Sequence, residues 1–174
     1  MDSKAIIGIS VVLGFVAFGR VAQLFIWPRL REMRREDALQ VLVAPHMFRY
    51  VGLSFLMPGV VTPTMPASFA NPAAYGDLVA TLLAIVATMA LSARSSWALA
   101  VVWLLNIEGT VDLLFAYYQG VIGVGLAPGV MGAAFYIPTV FVPLLLVTHF
   151  MMFRLLLRAE GFAGGTGVRR PTAW

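Results

Sequence analysis

Residues 97–120 read WALAVVWLLNIEGTVDLLFAYYQG. A stretch of about 20 mostly apolar residues is long enough to cross the hydrocarbon core of a bilayer. This one nevertheless carries Asn106, Glu108 and Asp112 near its middle. An ionisable side chain at that depth costs about 2.5–3.5 kcal/mol on insertion scales. Lipid offers it no partner, so the acids must turn toward other protein groups. The stretch therefore predicts a transmembrane helix surrounded by others, with its polar residues at the candidate site.

The rest of the chain supplies the neighbours. Of its 174 residues 60% are hydrophobic and only 11% charged, against about 25% charged in an ordinary soluble domain. Four further segments reach spanning length: residues 5–27, stopped by Pro28; 39–61, interrupted by Pro45; 71–92, opened by Asn71-Pro72; and 131–157, containing Pro138 and Pro143. The first is too long for the apolar part of a cleaved leader and ends in Trp-Pro-Arg, so it reads as a retained helix. The expected fold is all-α, a polytopic transmembrane bundle of five spans forming one domain over residues 1–158. Residues 159–174 read as a flexible basic cytoplasmic tail.

Basic residues fix the expected orientation. Arg29, Arg31, Arg34, Arg35, Arg94, Arg154, Arg158, Arg169 and Arg170 fall on one side of a five-span bundle, and Lys4 on the other. The positive-inside rule then places the N-terminus outside and the C-terminus in the cytoplasm of a multi-pass cell-membrane protein. Arg20 reads as an interface anchor. This placement accounts for the net charge of +4, which gives no reason to invoke a nucleic acid. The chain has no cysteine, so disulfides, thiolate metal sites and cysteine nucleophiles are excluded.

Within the spans, Glu108 and Asp112 lie one turn apart on one helix face, with Phe115 and Gln119 along it. Two carboxylates in a low dielectric call for a proton or a nearby cation. Arg49 is the arginine at matching depth and is expected to pair with Glu108 or Asp112. On α-helical spacing His46, Arg49 and Tyr50 share a face. Asp77, one turn into the third span, reads as a helix-end carboxylate with a structural role. The leading expectation is an apolar cavity walled by the second, fourth and fifth spans. It binds a small hydrophobic or amphipathic ligand through Arg49, Tyr50, Trp103, Asn106, Glu108, Asp112, Phe115 and His149. Carbonyls freed by Pro138 and Pro143 would line it.

Three alternatives follow from the same residues. The two carboxyl groups suit a proton-shuttling intramembrane isomerase. His46 and His149, on different spans at similar depth, suit the axial positions of a haem, or with Glu108 a divalent metal. Gly76, Ala80 and Ala84 form a small-residue ridge that suits a homo-oligomer or a packing subunit of a larger membrane complex. Phosphate loops, G-x-S-x-G and H-E-x-x-H are absent.

Overall fold

The computed structural model describes residues 2–158, so the expectation for the tail at 159–174 lies outside the described residues. The described chain is helical, with no strand. Five helices are long and apolar enough to cross a membrane: α1 Ser3–Leu30, α2 Arg35–Leu56, α3 Ala67–Ser92, α4 Ala98–Gly123 and α5 Ile137–Leu156.

Prolines shape these helices without ending them where the sequence suggests. α1 runs past Pro28 because the turn before it, Ala22–Ile26, widens to π winding and absorbs the missing donor. α3 starts at Ala67, not at Asn71, and takes Pro72 inside its first turns. Asp77 is thereby carried well into the helix, away from the positive end. α5 starts at Ile137 with a π turn, Ile137–Phe141, behind a separate 3-10 segment, Pro128–Phe135. Gly132 turns the chain inside that segment with a φ of 51°. A side chain there would strike the Val60 carbonyl, which instead accepts the Ala133 N–H at 3.0 Å.

α2 changes winding midway. It is α-helical over Arg35–Val43, with Glu36 and Asp37 favourably placed in its first turn. From Ala44 to Leu56 it is a 3-10 helix, entered through Pro45, which cannot donate the bond that α winding would need. Runs of 3-10 helix beyond 3–4 residues are uncommon; this one has 13. At three residues per turn, side chains three apart eclipse one another. Its buried residues are His46, Arg49, Gly52 and Phe55, a single file along one edge.

The link from α3 to α4 is a Schellman turn. Ser95 N–H donates to the Ala90 carbonyl and Arg94 N–H to the Leu91 carbonyl, both at 3.0 Å, around Arg94 at φ 51°. No side chain caps the start of α4; Ser95 offers its backbone carbonyl to the Ala98 N–H.

Packing brings the 3-10 half of α2 onto α3, α3 onto α4, and α5 against α1, α2 and α4. α1 is peripheral, with no buried residue over Ser3–Val21. Arg20 is exposed and bonded to Gln23. The arginine-bearing ends meet at one end of the bundle. Arg94 pairs with Asp37 at 3.7 Å, Arg158 reaches the Arg31 carbonyl, and Arg154 lies over the Trp27 ring. At the other end residues 57–66 join the 124–136 connection through Thr62 and Val130.

The core is layered. One apolar cluster, with Leu39, Leu42, Ala84, Leu105 and Met152, occupies the arginine-bearing half. A second, with Phe55, Phe69, Leu113, Ile137 and Leu145, occupies the other. Between them each of α2, α3, α4 and α5 contributes buried polar groups: His46 and Arg49, Asp77 and Thr81, Asn106, Thr148 and His149. The ridge on α3 is spent inside this core. Ala80 and Ala84 have no exposure, and Gly76 faces the Asp112 carboxylate of α4.

Candidate functional site

Arg49 is the centre of the polar layer. It is 1% exposed, and three groups surround its guanidinium. Nε donates to Asp77 Oδ1 at 2.7 Å, Nη2 to Asp112 Oδ2 at 2.5 Å, and Nη1 to the Gly109 carbonyl at 3.3 Å. A buried cation needs this kind of enclosure, because taking a charge out of water costs several kcal/mol unless charged and polar partners replace the solvent. Glycines make the approach possible. A β-carbon at Gly52 would overlap Asp77, one at Gly76 would overlap Asp112, and one at Gly109 would overlap Arg49 and His149.

The two histidines form a second tier. Thr148 Oγ1 donates its only proton to the Leu145 carbonyl, so His46 Nε2–H donates to Thr148 Oγ1 at 3.0 Å. His149 Nδ1–H donates to Asn106 Oδ1 at 2.7 Å. The remaining ring nitrogens, His46 Nδ1 and His149 Nε2, have no hydrogen-bond partner among the described residues; nor do Asn106 Nδ2 and Glu108 Oε2.

The structure brings together Arg49, Asn106, Asp112 and His149 of the residues singled out from sequence. It adds Asp77, which joins Asp112 on the same guanidinium. The other residues singled out from sequence are not bonded to that guanidinium. Glu108 does not bond to Arg49, whose bonds go to the other two acids. Tyr50 is 52% exposed, because 3-10 winding carries it about 120° from the His46 edge, where α winding would leave it about 40° away. Phe115 points outward at 47% exposure. Trp103 packs against Phe153 within the apolar cluster of the arginine-bearing half. The His46 and His149 rings lie directly against each other, centroids 4.2 Å apart, leaving no gap for a macrocycle between them. Among the described residues no group of three or more His, Asp or Glu side chains is arranged to hold a metal ion.

Two cavities lie on the far side of this cluster from the arginine-bearing end. A void of about 40 Å³ touches Asp77 and Asp112 and is otherwise walled by apolar groups such as Phe55, Leu113 and Val142. A chamber of about 510 Å³ lies between the start of α1, the end of α4 and the 124–136 connection. Its walls are apolar, formed by Ile7, Val11, Leu126 and Met131 among others, with Lys4 as the charged residue on its rim. Phe69, Ala116, Tyr117 and Pro138 line both spaces and form the partition between them. Tyr117 is held there by its hydroxyl, which donates to the Pro138 carbonyl at 2.6 Å. The expected cavity is thus displaced. Arg49 does not line it, α1 replaces α2 as a wall, and the Thr139 carbonyl deprived of its donor by Pro143 meets Gly14 of α1.

A family described as domain of unknown function (DUF8737) matches residues 6–157, and the chain belongs to that family. No curated protein and no solved structure matches the chain.

Proposed function

We propose that this member of the DUF8737 family is an integral membrane protein that binds a small hydrophobic or amphipathic molecule in the chamber between α1 and α4. The observation that carries this reading is the chamber itself. Its volume of about 510 Å³ lies within the usual range for small-molecule sites, which are concave and mostly apolar with a few placed polar groups. Val12 and Val121 stand exposed at its edge, so it opens sideways, where a lipid-soluble molecule would enter from a bilayer.

In this reading the Arg49 layer is the chamber's foundation. It locks α2, α3 and α4 together and sets the Asp77–Asp112 pair behind the Tyr117 partition. The helices cross the membrane with the N-terminus outside and the arginine-bearing end in the cytoplasm. Five apolar helices and the gathering of arginines at one end of the bundle support that orientation.

The test is native mass spectrometry of the protein released from its membrane. A small molecule is expected on the wild-type protein and absent from Ala116→Trp, which fills the chamber, with both proteins melting at similar temperatures. Retention of the same molecule by a folded Ala116→Trp protein would overturn the reading.

A further inference from the structure

The chamber lies in an electrical gradient. At its rim stands Lys4, in the first turn of α1, where the helix end adds partial positive charge. Beyond the partition lie Asp77 and Asp112, two carboxylates sharing one guanidinium, with Glu108 nearby on α4 and not bonded to it. Asp2, the other charged residue of the α1 start, is exposed and does not line the chamber. No further charged side chain lines the chamber among the described residues. An amphiphile inside it therefore meets positive charge at the rim and an apolar inner end, with the acids lying behind the partition.

We propose that the ligand is a single-chain anionic amphiphile, its carboxylate or phosphate head at Lys4 and its chain running inward to Tyr117 and Phe69. This rests on the chamber reading above and specifies its ligand class. The opposite orientation would press an anionic head toward the acids. A cationic head would be repelled by Lys4 at the rim. The apolar walls between Lys4 and Tyr117 suit a hydrocarbon chain, and Lys4 has no salt-bridge partner among the described residues.

The experiment uses the full-length protein in phosphatidylcholine nanodiscs with a diazirine-bearing palmitate, its crosslinks mapped by mass spectrometry. Unlabelled palmitate, lysophosphatidate and hexadecanol compete. Crosslinks are expected on residues of the chamber wall, with palmitate or lysophosphatidate competing about 5- to 10-fold better than the alcohol, as an ion pair of about 1 kcal/mol or a little more gives. The better of the two acids identifies the head. Lys4→Met should erase the preference, and Lys4→Arg should keep it. Equal competition by hexadecanol, or a preference that survives Lys4→Met, overturns the anionic assignment while leaving the chamber as a binding site. Absence of crosslinks in the chamber overturns both.

Discussion

Gly109 holds its α-carbon against the guanidinium of Arg49, and a β-carbon there would overlap both Arg49 Nη1 and His149 Nε2. The closeness of α4 to the arginine thus depends on a missing side chain. Gly109→Ala is expected to destabilise the protein by about 1–3 kcal/mol, the range for overpacking a filled core. Thermal unfolding in detergent micelles measures it. A melting temperature equal to wild type would show that the helices have slack at this point.

Removing Arg49 leaves two buried acids without their shared partner. Arg49→Met should cost about 3–5 kcal/mol, as breaking a buried ion pair does. Adding Asp77→Asn and Asp112→Asn to Arg49→Met should recover part of that loss, since the uncompensated charges go with the cation. If the triple variant is no more stable than Arg49→Met alone, the charges are not what the arginine stabilises.

Arg94 occupies the left-handed position of the Schellman turn, where glycine is the usual residue. A side chain in that conformation costs about 1–2 kcal/mol. Its ion pair with Asp37 is exposed on both sides, and such pairs contribute about 0–1 kcal/mol. Backbone relief is the larger effect, so Arg94→Gly should be neutral to stabilising by up to about 1 kcal/mol. A clear fall in unfolding temperature would show that the Asp37 pair dominates.

The 3-10 winding of α2 has its own signature. Single cysteines can be introduced cleanly, because the chain has none. Spin labels at Phe48, Tyr50 and Leu53, all exposed, should be mobile and accessible to oxygen. One at Phe55, 4% exposed, should be immobile or should prevent folding. α winding would instead bring Tyr50 toward the His46 edge, and an immobile label at Tyr50 would show it.

Orientation has an equally direct test. In sealed right-side-out vesicles, a membrane-impermeant thiol reagent should label Lys4→Cys without lysis and Arg94→Cys only after it. The reverse pattern would invert the proposed topology.

Much of the bundle was legible from residues. Each helix long enough to cross a membrane announces itself by length and apolar content, and Arg49 and Asp112 pair because buried opposite charges have few choices. Asn71-Pro72 looks like a helix start and so places Asp77 one turn in, but the helix begins at Ala67 and the carboxylate lands in the polar layer. α winding after Pro45 would keep Tyr50 on the His46 face, and nothing local announces the long 3-10 run that takes it off. The chamber was illegible for a different reason. Lys4, Phe69, Gly120 and Met131 come from four separate segments, and a space between helices depends on how tilted surfaces fail to meet, which no periodicity encodes.

The π turns at Ala22–Ile26, Gln119–Gly123 and Ile137–Phe141 bear on how this chain tolerates changes of length. Each bonds i to i+5, one residue more per turn than an α-helix. Deleting a single residue inside one of them lets the turn close into ordinary α winding, with the flanking helix kept in phase. The same deletion in the unbroken α winding of Ala67–Ser92 would rotate all that follows by about 100° and pull Asp77 from its arginine. Shortened relatives of this protein should therefore carry their gaps at those three wide turns.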